Sequence, residues 1–377
     1  VRVHPYGRLS GAIGVARLAA GEAKGRTVNS GQFRGFDSCG SYSITSFYCK
    51  KCENQCQVNQ IHVDGQKVHF GDSCERYSSR DKNHTPTGKS VEKKQRNFFQ
   101  EREQLLQSFL PKPGVETRAR IGLLRTTMMT EHMPFWANLL DMLGFTPVFA
   151  PLAEKSSTYW QSTLPAEVCL PLKSAQKELV QLLDENLVDK ILLPSILEYS
   201  PLHPQDRVHT CLYSQQQPYM VGKKYSDRIL TPQCGFSARL PAAKEGIRAV
   251  AEALDVPLKN VERNWKKATD CQDQFCQARQ QLGKEAMSEC VEYGVVVVGK
   301  PYNLYNPELN LGLAAHLEKL NLFALPMDLL PFEEIALGSE WYMLPWFNNR
   351  NHLRVLKLID QKYPNLFPVH VSNYGCG

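Results

Sequence analysis

The sequence predicts an α/β protein in which a small cysteine-rich metal module precedes a doubly wound parallel sheet. Two observations carry this prediction. Four cysteines lie close together near the start of the chain, and from about residue 118 onwards short apolar strands alternate with helical segments. Strands separated by helices favour parallel pairing, because each helix carries the chain back across the sheet. The length of 377 residues and the hydrophobic fraction of 42% are those of a soluble protein with two or three domains.

The cysteine module occupies residues 25–80. Its four cysteines are Cys49, Cys52, Cys56 and Cys74. Four thiolates complete a tetrahedral set for Zn²⁺ or hold an iron–sulfur cluster, and the residues leave this choice open. The Asp64-Gly65 dipeptide predicts a tight hairpin that returns Cys74 to the other three cysteines.

Residue alternation assigns the hairpin side chains to two faces. With Val63 opposite Gln66, one face carries Ile61, Val63, Val68 and Phe70. His62 and His69 then share the opposite, polar face. Because the cysteines already complete a ligand set, we expect neither histidine to bind the metal.

The ends of the chain and its apolar runs indicate where the protein works. The start at Val1 has no signal-peptide core, so we expect a cytoplasmic protein whose twelve cysteines are not a disulfide framework. The chain has no initiating Met and stops directly after Cys376, so we expect an internal piece of a longer polypeptide. No apolar run approaches the roughly 18 residues of a membrane helix, so no membrane partner is expected.

Positive charge is concentrated between Arg76 and Arg125, where the sequence contains twelve Lys and Arg residues but only five Asp and Glu residues. Such a segment could bind nucleic acid or an acidic ligand. However, it contains several prolines and glycines and few aromatic residues besides Phe98 and Phe99. We therefore interpret residues 81–117 as a solvated basic linker with one exposed helix, and we expect no nucleic-acid partner.

The elements of the α/β part can be placed in order along residues 118–377. Strands are predicted at Ile121–Leu124, Thr146–Ala150, Lys190–Leu193, Gly294–Gly299, Phe323–Pro326 and Val369–Ser372. Helices are predicted at 93–109, Met133–Leu143, 171–186, 242–254 and 257–291. On the longest helix, Cys271 and Cys290 follow the apolar stripe and are expected to pack in the core, whereas Cys276 lies off the stripe and receives no role.

Three other cysteines lie at the ends of predicted elements. Cys169 comes just before a helix, Cys376 follows the last strand, and Cys211 lies in a loop. In an open parallel sheet, the loops past the carboxyl ends of the strands form the ligand crevice. These cysteines could share a site there, although each one taken alone could equally be a buried cysteine.

Several motifs occur here in a recognisable order. They are His4–Tyr6, Gly11–Gly14, Ser30–Asp37, the cysteine module, Cys169–Lys173, Gly299–Pro307, Asn310–Gly312 and Asn373–Gly377. Together they resemble the middle of the large fused activase/dehydratase-like proteins of the 2-hydroxyglutaryl-CoA dehydratase and benzoyl-CoA reductase superfamily. The resemblance implies that residues 1–24 are the C-terminal tail of an actin-like ATPase activator. It also implies that residues 118–377 form a flavodoxin- or dehydratase-like domain that binds a cluster.

The resemblance further implies a function and its site residues. Cys169, Cys211 and Cys376 match the positions that hold a [4Fe-4S] cluster, or a double-cubane cluster at a homodimer interface. Lys173 would either add positive charge nearby or form a surface salt bridge. The ATPase activator in the same longer chain would drive electrons at low potential to this cluster, for relay or for reduction of an acyl-CoA or other small molecule. This piece alone is not expected to hydrolyse ATP.

The chain also departs from the family pattern, because Leu212 follows Cys211 where a proline is expected. Two other interpretations therefore stay open at this point. The chain could be a non-enzymatic scaffold with Zn²⁺ in the cysteine module and a cofactor-free α/β domain, or a zinc protein that binds nucleic acid through its basic segment.

Overall fold

The computed structural model divides into two compact units, Val1–Thr87 and Gly88–Gly377. It describes residues 13–18, 42–50, 56–63, 66–72, 77, 96–112, 118–126, 128–150, 168–236, 242–289 and 292–373. The predictions made for Cys52, Cys74, Cys290 and Cys376 lie outside these described residues.

The first unit contains a three-stranded antiparallel sheet. Helix α1 covers residues 13–18, and the strands are β1 (Tyr42–Tyr48), β2 (Gln57–Val63) and β3 (Gln66–Phe70) in the order β1-β2-β3. Val63 pairs with Gln66 across the turn, so the predicted hairpin and its register are confirmed. Strand β1 was not predicted, although its Tyr, Ile, Thr and Phe residues are of the types that favour strands.

The two faces of this sheet differ in burial. Phe47 and Val58 pair directly across β1 and β2 and lie on the histidine-bearing face, where Val58 is completely buried. Tyr77 covers this face, with its ring 5.3 Å from that of Phe47 and 5.8 Å from that of His69. The face that carries the histidines is therefore the packed one, since the apolar Val68 on the other side is exposed.

The second unit begins its α/β part with a four-stranded sheet. Its strands are β4 (Arg120–Leu123), β5 (Thr146–Phe149), β6 (Lys190–Leu192) and β8 (Ile229–Leu230), in the order β5-β4-β6-β8. All of its pairs are parallel. A short parallel pair joins β7 (Ser195–Ile196), which follows β6 in the chain, to β9 (Gln233–Cys234), which follows β8. The helices of this part are α3 (Met133–Met142), α4 (Leu170–Asp184), α5 (Leu212–Gln216) and α6 (Ala242–Leu254).

A second parallel sheet follows in the last third of the chain. Its strands are β10 (Gly294–Gly299), β11 (Ala324–Pro326) and β12 (Leu366–Val371), in the order β11-β10-β12. Its helices are α8 (Pro301–Tyr305), α9 (Pro307–Asn310), α10 (Leu313–Lys319) and α11 (Phe347–Lys362). The mixed α/β class with parallel sheets is thus confirmed. The two larger sheets are separate, and each packs against a core of its own, one around Trp136 and one around Val296–Val298.

Two further helices pack against these cores. Helix α2 (Phe98–Ser108) begins after Asn97, whose side chain accepts the N–H of Gln100. The expectation that this helix is exposed is wrong, because its Phe98, Phe99 and Arg102 side chains are buried. The buried apolar residues of this helix, Phe98, Phe99 and Leu106, are too few for the sequence pattern to show this burial. Helix α7 (Leu258–Glu289) runs for 32 residues along both cores. Among the described helices, none combines the length and the apolar character needed to cross a membrane.

Candidate functional site

Cys169 and Cys211 line the same cavity of about 240 Å³ in the second unit. They lie 42 positions apart in the chain, and neither is in a disulfide. Both are partly exposed. The structure therefore brings together two of the three cysteines that the family resemblance groups.

The backbone places each thiol at the start of a helix. Cys169 is the N-cap of α4, and its carbonyl oxygen accepts the N–H of Lys173 at 3.1 Å. Pro171 suits the first turn of this helix, because an amide hydrogen is not needed there. The 15-residue helix directs the positive end of its dipole towards Cys169 and favours a thiolate there. Cys211 is the N-cap of the short helix α5.

Lys300 brings a positive charge to the cavity wall. It comes directly after strand β10 and is the N-cap of α8, and only 8% of it is exposed. Lys173, the lysine that the resemblance places near the cluster, is not among the residues that line the cavity. Sequence reasoning missed Lys300, although the Gly299-Lys300-Pro301 motif at the end of a buried strand was visible.

A buried acid holds the loop that forms another wall. Thr126 lies in the loop after β4 and lines the cavity. The backbone N–H groups of Arg125 and Thr126 donate to Glu178 Oε2 at 2.7 Å and 3.3 Å. Burial raises the pKa of Glu178 to about 7, against the opposing effect of these hydrogen bonds. The cavity is thus formed at the carboxyl ends of β4 and β10, which is where the open-sheet rule places a ligand.

The third cysteine, Cys376, lies outside the described residues. The last described residue, Asn373, donates from Nδ2 to Asn303 Oδ1 at 2.5 Å. Asn303 belongs to α8, the helix that begins at Lys300. The last described part of the chain therefore contacts the helix whose N-cap, Lys300, lines the cavity.

In the cysteine module, the structure places Cys49 and Cys56 side by side. The N–H of Cys49 donates to the carbonyl oxygen of Cys56 at 2.9 Å, because both residues extend the β1–β2 pair. Cys49 is buried and Cys56 is partly exposed. Cys52 and Cys74 lie outside the described residues. Within the described ranges, no group of three or more His, Cys, Asp or Glu side chains could hold a metal ion.

The remaining described cysteines have different surroundings. Cys234 is buried in the first core, and burial raises the pKa of its thiol to about 12. Cys271 is partly exposed, and burial together with the neighbouring Asp270 raises its pKa. Cys276, which received no role, lines a second and larger cavity.

The comparison with protein families identifies the chain. Residues 120–330, more than half of the sequence, match the family described as CoA enzyme activase uncharacterised domain (DUF2229). The chain therefore belongs to this family. This confirms the resemblance to the CoA-substrate activase/dehydratase-like superfamily and relates the chain to activase and dehydratase systems.

The matched segment contains Cys169, Cys211 and Lys300, whereas Trp346, Asn348 and Asn349 of the same cavity come after it in the chain. The cysteine module and Cys376 fall outside it. The chain matched no curated protein and no solved structure in the corresponding comparisons.

Proposed function

We propose that the second unit binds an iron–sulfur cluster and acts as the cluster-bearing component of an ATP-driven, low-potential electron-transfer system related to the 2-hydroxyacyl-CoA dehydratases and their activases. The observation that carries this proposal is the cavity that Cys169 and Cys211 share, two cysteines that both lie in the segment matched to the family. Membership of the activase family relates the chain to activase and dehydratase systems, and the cavity contains two thiols that could bind iron.

The residues present fit such a group. Thiolates are the ligands that iron–sulfur clusters take in proteins, and Cys169 and Cys211 offer two, with Cys376 as the third. Lys300 lines the same cavity and would offset the negative charge of thiolates and cluster. When bound, the cluster would supply one-electron reduction at low potential, either by relay or on a small substrate such as an acyl-CoA.

The partners follow from the same proposal. An ATPase activator domain in the same longer chain would deliver the electrons. A second copy of the chain would place two cluster sites face to face, or complete a double-cubane cluster. In the first unit, Cys49, Cys52, Cys56 and Cys74 would hold a separate metal, either Zn²⁺ or an iron–sulfur cluster.

Anaerobic reconstitution tests the proposal. Iron and acid-labile sulfide are counted, and EPR spectra are recorded, for the reduced wild type and for Cys169→Ala and Cys211→Ala. We expect each substitution to remove the EPR signal of this cluster and about one cluster's content of iron. The reason is that a cluster held by three thiolates loses one of its iron ligands. Wild-type iron and an unchanged spectrum in both variants would overturn the proposal.

The matched controls are Cys234→Ala and Cys271→Ala. Neither thiol lines the cavity of Cys169 and Cys211. We expect Cys234→Ala to lower stability, because it leaves a void in the first core, while both controls retain the iron content of the wild type.

A further inference from the structure

A second cavity of about 510 Å³ lies next to the proposed cluster site. Its volume is that of a typical small-molecule site. Asn348, near the start of α11, lines both cavities. The two spaces are therefore separated by little more than one side chain.

One part of the cavity wall is aromatic. His132 stacks on Phe236 with ring centroids 4.2 Å apart, and Phe135 meets Trp265 edge to face at 4.8 Å. Phe347 adds a further ring to the wall. Flat faces of this kind favour a planar, apolar ligand body.

The other part of the wall is charged, and its ion pairs are internal. Arg102 and Arg279 both pair with Asp328, at 3.2 Å and 3.4 Å. Arg279 also pairs with Glu333 at 3.4 Å, and Tyr305 donates to Asp328. Burial alone would raise the pKa of Asp328, but the two arginines hold it below its ordinary value. Two guanidinium groups thus balance two carboxylates.

These side chains retain hydrogen-bonding atoms without partners. Within the part of the chain that the structure describes, the buried atoms Arg102 Nη1, Arg279 Nε and Asn348 Nδ2 have no acceptor. Glu131 Oε2 and Glu333 Oε2 are likewise buried and without a partner there. Buried polar atoms in this state cost free energy unless a ligand or water pairs with them. Residues that line the cavity therefore carry both unpaired donors and unpaired acceptors.

Charge decides what kind of ligand can supply the missing partners. The charges of the two arginines and the two carboxylates of the ion pairs already sum to zero. The carboxylates Glu131 and Asp273, which also line the cavity, can only add negative charge. An anion would meet that excess in a partly desolvated space. An uncharged amide can accept from a guanidinium N–H and donate to a carboxylate with no net charge.

We propose that this cavity binds an uncharged, planar aromatic or heteroaromatic compound that carries a carboxamide-like group, with its ring against the aromatic wall and its amide at the arginine–carboxylate cluster. This binding does not require the iron–sulfur cluster, so it can be measured in the cluster-free protein. Its failure is thereby distinguished from a failure of the proposed electron-transfer function.

The protonation state of Glu131 makes the choice between an anion and an amide depend on pH. Burial raises the pKa of Glu131 to about 7, against smaller opposing effects of Tyr199, Arg279 and Asn348 and a small rise from Asp328. The adjacent His132 is neutral, since burial and Arg279 lower its pKa to about 3. Above pH 7 an ionised Glu131 would repel a bound anion. An amide would not be repelled, because its N–H group can donate a hydrogen bond to the ionised carboxylate.

The test uses 2-naphthamide and its charged isostere 2-naphthoate, titrated into the full cluster-free chain by calorimetry at pH 6 and pH 8. We expect the amide to bind at least about tenfold more tightly than the carboxylate at pH 8, and this ratio to shrink at pH 6. Equal or tighter binding of naphthoate at pH 8, or no measurable binding of the amide, would overturn the proposal.

Two variants assign the effect to the cavity. Glu131→Gln removes the ionisable group, so we expect the binding of naphthoate to lose its decline between pH 6 and pH 8. Glu178→Gln is the matched control, because Glu178 is a buried acid with the same raised pKa that does not line this cavity. A decline that persists in Glu131→Gln, or vanishes in Glu178→Gln, contradicts the proposed site, provided that circular dichroism shows both variants folded.

Discussion

At the scale of single residues, buried charges near the cavities shape the pH dependence of stability. Burial raises the pKa of Glu178 to about 7 in the folded state, while an ordinary glutamate carboxyl has a pKa near 4.5. The unfolded state therefore binds fewer protons than the folded state between these two values. As a result, this residue makes stability fall as the pH rises through that window.

Replacement of Glu178 by Gln should remove this contribution. The difference in free energy of unfolding between Glu178→Gln and the wild type should shift in favour of the variant by up to about 3 kcal/mol between pH 4.5 and pH 8. Urea unfolding at a series of pH values measures it. A difference that stays constant over this range would show that Glu178 ionises normally.

A second residue-scale feature is the buried ion cluster of Asp206. Its carboxylate accepts from Arg350 at 3.0 Å and from Arg354 at 2.6 Å, and all three side chains are at most 2% exposed. Its removal would leave two guanidinium groups buried without a counter-charge. We expect Asp206→Ala to lower the free energy of unfolding by about 3–5 kcal/mol.

The control for this prediction is Glu334→Ala. Glu334 pairs with Lys362 at 3.9 Å in solvent, where ion pairs contribute little. Denaturant titration should show a change below about 1 kcal/mol. A similar loss in both variants would mean that Asp206 acts through something other than its buried charge.

At the scale of elements, close packing of helix α7 depends on one glycine. A Cβ atom on Gly283 would lie 1.7 Å from the carbonyl oxygen of Leu329, so the helix touches the chain there without a side chain between them. Helix propensity alone would favour alanine by about 1 kcal/mol. We expect the steric clash to outweigh this gain in helix propensity. Gly283→Ala should therefore lower the free energy of unfolding by at least about 2 kcal/mol, as measured by thermal or urea unfolding.

The neighbouring exposed Lys284 supplies the control on the same helix. Lys284→Ala should leave stability within about 0.5 kcal/mol of the wild type. Stabilisation by Gly283→Ala would mean that the helix stands farther from Leu329 than the structure places it.

Many of these elements could be predicted from the sequence. Val63–Gln66 pairing follows from turn chemistry, and strand β10 follows from its run of valines. Their signals are local, so no knowledge of the fold is needed. The burial of α2 could not be predicted, because its partner, Phe323, lies more than 200 positions away. Polar Asn264 and Gln272 on the packed face of α7 also shift the buried stripe from the one that the apolar residues suggest.

At the scale of the whole molecule, sequence reasoning reached the class of the fold and part of the candidate site. The family resemblance grouped Cys169 and Cys211, and the structure places both on one cavity. Sequence reasoning missed Lys300 and could not find the larger cavity of Glu131 and Arg279. Those residues come from separate helices and loops, and only the packing of the two cores brings them together.

The two units should respond separately to loss of the first metal. If Cys52 is a ligand of a structural metal in the cysteine module, Cys52→Ser should increase hydrogen exchange in strands β1–β3 and leave the strands of the second unit protected. Hydrogen-exchange mass spectrometry distinguishes the two regions within one experiment. Unchanged protection in β1–β3 would exclude a structural role for this cysteine.

The central claim is that a cluster occupies the cavity of Cys169 and Cys211. Anomalous diffraction at the iron absorption edge, from crystals of protein purified without oxygen, locates iron directly. We predict iron in that cavity, with one iron atom within bonding distance of the Cys169 sulfur and another within bonding distance of the Cys211 sulfur. An iron-free cavity in protein that carries iron only at the cysteine module, or none at all, would contradict the claim.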